Sequence, residues 1–146
     1  STIAVNKATK NEIDWVNSKY DEVNFVHSNY ANECIVIAKV DNVGAGIGRL
    51  VKIDDTNIEL GGIYVFPDYR GLGVAEHIVR HLCDHNPFKK TTIWCLPFEH
   101  LLKFYTKFRF KKYYDGNVPE EIRKKLKWCN ADNRYEKQVV LLYRNE

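Results

Sequence analysis

Val65-Phe66-Pro67-Asp68-Tyr69-Arg70-Gly71-Leu72-Gly73-Val74-Ala75 is the stretch on which the reading of this chain turns. The wider segment from Ile63 to Val79 reads as strand, tight loop and helix. An apolar strand stops at Pro67, which has no N–H to give to a sheet ladder. Arg70 and two glycines follow. Apolar residues then recur at helical intervals: Val74, Ala75, Ile78, Val79 and Leu82. Glycines let the chain turn sharply and let its N–H groups approach a ligand unobstructed. The helix N-terminus behind them carries unpaired donors and a partial positive charge. Arg70 adds a full charge beside it. This is the chemistry of an anion site suited to phosphate or pyrophosphate. An ordinary strand-to-helix turn capped by glycines is the alternative.

Three phosphate loops compete for the segment. A P-loop needs Lys followed by Ser or Thr after its glycines, and none follows here. The dinucleotide fingerprint G-x-G-x-x-G is met by Gly71 and Gly73 but fails at Glu76. The third pattern is Arg-x-x-Gly-x-Ala, filled by Arg70, Gly73 and Ala75. It resembles the acetyl-CoA-binding motif of the GNAT N-acyltransferase superfamily, Gln/Arg-x-x-Gly-x-Gly/Ala. The preceding Val-x-Pro-x-x-Arg-Gly, from Val65 to Gly71, is similar to that family as well.

Working outward, the 146 residues predict one domain over 1–146 with a sizeable core. The net charge of +3 is too small to argue for a nucleic-acid partner. Cys34, Cys83, Cys95 and Cys129 form no C-x-x-C pair and read as reduced, mostly buried thiols. With no apolar leader at the N-terminus, they predict a cytoplasmic protein. No apolar run approaches the ~20 residues of a membrane span, so no membrane partner is expected.

Thr2 to Asn6 is a short strand. Thr9 and Glu12 have capping-box spacing before a helix carrying Ile13, Val16 and Tyr20. Val23 to Tyr30 is a weaker helical or irregular stretch. Strands are expected over Glu33–Val40, Val43–Ile53 and Asn57–Phe66, with turns at Asp41-Asn42 and Asp54–Thr56. Gly61-Gly62 inside the third implies a bulge or a close backbone approach. After the glycine loop the pattern alternates: a helix to Asn86-Pro87, a strand over Thr91–Leu96, a helix over Phe98–Phe108 and a strand over Phe108–Tyr113. Pro119 opens a further helix, and Tyr135–Tyr143 is the final strand. A meander followed by β-α-β-α-β predicts an α/β protein with a mixed sheet and helices on both faces. This order is also similar to the GNAT fold over nearly the whole chain.

The resemblance implies an acetyl-CoA-dependent N-acetyltransferase working by direct attack in a ternary complex. It places the pyrophosphate on Arg70, Gly71, Leu72, Gly73, Val74 and Ala75, and the pantetheine arm on the backbone of Ile63 and Val65. The Val65 amide would polarise the thioester carbonyl. Tyr105, in Phe104-Tyr105-Thr106-Lys107-Phe108-Arg109-Phe110, matches the family's Tyr-x-x-x-Gly-Phe, whose tyrosine lies near the CoA sulfur. A phenol with an ordinary pKa near ~10 can donate to a leaving thiolate; a core aromatic is the alternative. Arg109 stands in the usual glycine place and Phe98 where many relatives carry Asn. Glu59 is the candidate base, acting through a water, or else a solvated or ion-paired strand residue. Glu99 and His100 are weaker alternatives.

Other constellations read more plainly. Cys95 with His100 would be a nucleophile pair, but a small filler of a buried strand fits better. His77, His81 and His85 recur every four residues, yet no further ligand completes a metal site, so none is expected. Lys107, Arg109, Lys111 and Lys112 interleave with Phe108, Phe110, Tyr113 and Tyr114. This is the look of a strand with one buried face, although some of these cations could meet the 3′-phosphate of CoA. The amine acceptor should be bound by the N-terminal helices and the Asp115–Arg134 insert. The tail from Pro119 to Leu142 faintly resembles amino-acid N-acetyltransferases of the acetylglutamate-synthase kind. That implies a small amine bearing a carboxylate, with Arg49, Lys52 or Arg134 as partner. A non-catalytic CoA-binding or sensor domain of the same fold, a nucleic-acid module and a homodimer stay open at this point.

Overall fold

The computed structural model of the protein describes residues 2–145. In chain order the elements are β1 (Ile3–Lys7), α1 (Ile13–Asp21), β2 (Glu33–Val40), β3 (Val43–Lys52), β4 (Asn57–Val65), α2 (Val74–Asp84), β5 (Thr92–Cys95), α3 (Leu102–Thr106), β6 (Lys111–Lys112), α4 (Glu120–Asn130) and β7 (Leu142–Asn145). The strands form one seven-stranded mixed sheet in the order β1-β2-β3-β4-β5-β7-β6. The chain divides into two compact units, Ser1–Val51 with Gly61–Pro87 and Lys52–Leu60 with Phe88–Glu146.

In the first unit, β1 and β3 flank β2 antiparallel, from Ile3↔Val40 to Lys7↔Val36 and from Glu33↔Val51 to Val40↔Val43. Alternation along β2 sends its side chains to two faces. Ile35 and Ile37 pack with Val16 and Tyr20 of α1 and with Ile47, Tyr64 and Phe66. The Glu12 carboxylate accepts from the Thr9 N–H at 2.9 Å, which starts the turn leading into α1. The opposite face takes α2, which packs on β1 and β2 and buries Val74, Ile78, Val79 and Leu82. Full burial of such side chains is worth roughly 1.5–3 kcal/mol each. The glycines of β3 admit this helix. A Cβ on Gly48 would stand 2.6 Å from Ile78 Cγ2 and 2.8 Å from Ile63 Cδ1.

In the second unit, β4 pairs parallel with β5 from Asn57↔Thr92 to Leu60↔Cys95. β7 runs antiparallel to β5, from Thr92↔Asn145 to Cys95↔Leu142, and β6 pairs with β7. Trp94, Tyr113 and Tyr143 meet with ring centroids 4.9–6.1 Å apart. The Trp94 indole N–H donates to Asn57 Oδ1 at 2.8 Å, so the buried ring keeps its polar atom satisfied.

Of the two readings offered for residues 23–30 the irregular one holds, ending in a short 3-10 turn at Tyr30–Asn32. Three expected elements change. The helix expected over Phe98–Phe108 is a 3-10 turn, Glu99–Leu101, followed by the short α3. The strand expected over Phe108–Tyr113 shrinks to Lys111–Lys112 because Phe108–Phe110 close the end of α3. The final strand starts at Leu142, not Tyr135. Its first half is diverted by Asn130, whose side chain accepts from the Val139 N–H at 2.8 Å and donates to the Val139 carbonyl at 2.9 Å. Both backbone groups of Val139 are thus held by a side chain of α4, leaving one isolated bridge to Phe98. Among the described residues no helix is long and apolar enough to cross a membrane.

Candidate active site

The glycine loop leaves β4 through a 3-10 turn over Pro67–Tyr69, with Phe66 N–H donating to Ala45 O at 2.8 Å. Gly71 and Gly73 have φ of 79° and 86°, the left-handed region open to glycine. Gly73 is the N-cap of α2, and no side chain caps that helix. The first N–H groups of a helix have no partner within it. At Gly71 an added Cβ would meet nothing within 4 Å, and at Gly73 only His77 Nδ1 at 4.0 Å. The loop is therefore open to solvent at a positive helix end. Arg70, Gly71, Leu72 and Gly73 are exposed around it, Val74 is buried beneath it and Ala75 is half-buried. Arg70 makes no ion pair with a described residue, so its charge is available. His77 closes the back: its Nδ1 donates to the Gly73 carbonyl at 2.8 Å, fixing the proton on that nitrogen. His81 and His85 lie 4.4 Å apart further along α2, and no group of three metal-ligating side chains occurs among the described residues.

Ile63 and Val65 occupy the end of β4, beyond the Leu60↔Cys95 pair at which its ladder to β5 stops. Gly62, just before them, has φ 60°. Its carbonyl accepts from the buried Tyr20 hydroxyl at 2.7 Å, and a Cβ there would stand 2.6 Å from that oxygen. Burial pushes the Tyr20 phenol far above its ordinary pKa, more than the Arg49 guanidinium lowers it, so it stays a donor. Arg49 lies over the Tyr20 ring at 4.4 Å and donates to Val26 O at 2.9 Å and Ser28 Oγ at 2.7 Å. The Gly61-Gly62 pair was the sequence signal for this kink; nothing in the sequence tied Tyr20 or Arg49 to it.

Glu59 and Tyr105 belong to the second unit. Glu59 faces Trp94 in the β4–β5 register and is only 14% exposed, with Lys125 Nζ 2.6 Å from its Oε2. Lys125 escaped the sequence reading, although Ile122, Lys125 and Cys129 share one helical face and could have flagged it. Tyr105 is buried between Phe104 and Phe110, with centroids at 5.0 and 5.9 Å. Its carbonyl accepts from Phe110 N–H at 3.4 Å while Arg109 N–H donates to Thr106 O at 3.1 Å. That pair of bonds is a Schellman closure, and Arg109 takes its left-handed position with φ 68°. Helix α3 therefore ends as a glycine would end it. Cys95 is buried in β5, and His100 is exposed with its ring on Phe98 at 6.1 Å. Among the cations considered for an acceptor carboxylate, Arg49 is engaged as described, Lys52 meets Asp55 at 3.3 Å and Arg134 stacks 3.8 Å over Trp128.

An unsatisfied helix end behind two left-handed glycines, an arginine beside it and a kinked strand leading in are parts that can together hold an anion. The model of the acetyltransferase (GNAT) family matches residues 7–110, and the chain belongs to that family. No curated protein sequence matches it. Among solved structures it is similar to N-acetylglutamate synthase from Neisseria gonorrhoeae, complexed with coenzyme A and N-acetyl-glutamate. That match has 16% identity and a TM-score of 0.69 over 99% of this chain and 35% of the other. Naa50 from Arabidopsis thaliana, in complex with the bisubstrate analogue CoA-Ac-MVNAL, matches at 15% identity and a TM-score of 0.70 over 99% of both chains. The ribosomal-protein-S18-alanine N-acetyltransferase from Escherichia coli matches at 13% identity and a TM-score of 0.70, over 99% of this chain and 94% of the other. At such identities the likeness is one of fold. The chain spans about a third of the length of the N-acetylglutamate synthase.

Proposed function

We propose that this protein transfers an acetyl group from acetyl-CoA to a primary amine, by direct attack within a ternary complex. The glycine loop carries the reading. Its left-handed glycines, uncapped helix end and exposed Arg70 offer the N–H donors and the positive charge that a diphosphate needs. In this reading Arg70, Gly71, Leu72, Gly73, Val74 and Ala75 hold the pyrophosphate of CoA. Backbone groups of Ile63 and Val65 take the pantetheine arm as an added strand would be taken. The Val65 N–H lies against the thioester oxygen and stabilises the oxyanion as attack proceeds. Glu59 accepts the proton of the incoming ammonium, and Tyr105 donates one to the departing thiolate. The Tyr20–Gly62 bond holds the kink that precedes Ile63 and Val65.

Membership of the acetyltransferase family supports this reading, as do the CoA and acceptor groups named for its structural neighbours. A thiol-release assay over amino acids, polyamines, aminoglycosides and peptides tests it. Saturable release of free CoA with at least one amine is expected, strongly reduced by Arg70→Glu through weaker acetyl-CoA binding. Failure of acetyl-CoA to bind in calorimetry overturns it.

A further inference from the structure

A cavity of about 540 Å³ opens in the second unit, where the end of α3, the start of β6 and the last residues of β7 meet. Of the cations that alternate with aromatic rings after α3, Arg109 and Lys111 line it, and Arg144 of β7 joins them. No carboxylate of the described residues lines it, and none of the three cations forms an ion pair with a described residue. Like charges grouped around one space repel, and an anion between them removes that repulsion. The protein's own acceptors satisfy little of this donor set. Arg144 Nη1 donates to the Phe108 carbonyl at 2.8 Å, which fixes the guanidinium, yet its buried Nε has no partner. A half-buried guanidinium with a donor left over and no counter-charge is costly. Asn145 Oδ1 accepts from the Thr92 hydroxyl at 3.0 Å, which leaves the N–H donors of that amide without a described partner. Arg109 holds a left-handed position, φ 68°, where glycine is the unstrained choice. A strained residue that supplies a charge points to a use for that charge.

We propose that this cavity is a second anion site, built from other residues than the glycine loop, and that it takes the phosphate monoester of a small organic molecule. Two guanidinium forks match the paired oxygens of a phosphate, and the Lys111 ammonium adds a point charge. A doubly charged group balances three cations better than a single carboxylate does. The cavity has the size of a small-molecule site, so a phosphate leaves room for the organic part of the ester beside Tyr143. The inference does not depend on the reading of acetyl-CoA as donor. All of its residues belong to the second unit, whereas the glycine loop belongs to the first.

The test is a titration of the full chain with phenyl phosphate at pH ~8, where the ester is a dianion, followed by calorimetry and amide NMR. Saturable one-to-one binding is expected, with shifts at Arg109, Lys111 and the side-chain amide of Asn145, and an affinity about ten-fold or more above that for benzoate. Arg109→Gly and Lys111→Gln should each weaken binding by about ten-fold, with the thermal midpoint as the check on folding. Shifts that do not saturate, or that persist in both variants, would mark general attraction to a basic surface and overturn the inference. Equal affinity for benzoate overturns it too. The 3′-phosphate of CoA is the other source of the same chemistry. If both variants weaken acetyl-CoA but not 3′-dephospho-acetyl-CoA, the cations serve the donor and the separate site falls, while the proposed function stands. If phenyl phosphate binds as described and acetyl-CoA does not bind at all, the proposed function falls and this site stands.

Discussion

Arg109 illustrates how one residue can hold a position that its side chain disfavours. It takes the left-handed place in the cap that ends α3, and the bonds of that cap run through Tyr105 and Thr106. A non-glycine residue there costs roughly 1–2 kcal/mol. Arg109→Gly should therefore stabilise the protein by about 1 kcal/mol, read as a higher denaturant midpoint with an unchanged slope. Under the proposed function Tyr105, which that cap fixes, protonates the thiolate. Tyr105→Phe should lower kcat by about 100-fold and leave acetyl-CoA affinity intact. A loss confined to affinity would instead make it a packing residue. Gly62 is constrained from two directions, by φ 60° and by the Tyr20 hydroxyl. Gly62→Ala should cost about 1–3 kcal/mol of stability and weaken acetyl-CoA binding together, because Ile63 and Val65 follow the kink.

Among the elements, α2 does two jobs with two sets of residues. Its apolar stripe fixes it to the sheet, and its uncapped start leaves N–H donors beside the glycine loop, where the proposed function places the diphosphate. Gly48→Ala would push a methyl into Ile78 and Ile63; a cost of about 1–3 kcal/mol is expected, with weaker acetyl-CoA binding as the helix shifts. The far end of α2 carries a pH response. Burial, with His85 alongside, lowers the pKa of His81. The unfolded chain then binds its proton first as pH falls, so stability is full above the ordinary histidine range and declines on acidification through it. Thermal midpoints should fall between pH 7 and 5, and His81→Gln should flatten that fall. Elements with strong periodicity, such as α2 and the strands of the first unit, were legible in the sequence because burial on one face writes itself into residue spacing. The first half of the last strand was not, because the Asn130 side chain takes both backbone groups of Val139 and no local pattern announces a partner nine residues away. The turn from β4 into α2 was legible in its proline and glycines, though not the 3-10 turn at Pro67–Tyr69, while the ion pair between Glu59 and Lys125 joins residues far apart in the chain and only a lysine on a buried stripe hinted at it.

For the molecule as a whole, the family match ends at residue 110, so α4 and β7 lie outside it. β7 completes the sheet by pairing with β5, and α4 brings Lys125 to Glu59. Under the proposed function, acceptor choice is therefore expected to depend in part on the segment beyond the family match, and donor binding on the segment within it. The net charge of +3 is small enough that donor affinity should rest on the local cradle rather than on a general basic surface. An amide NMR titration of the full chain with acetyl-CoA tests this most directly. Saturable shifts at one-to-one stoichiometry are predicted for Val65, Gly71, Gly73 and Val74, and weaker binding with Arg70→Glu. Loop amides that stay still under excess acetyl-CoA, or shifts confined to other residues, would contradict the account.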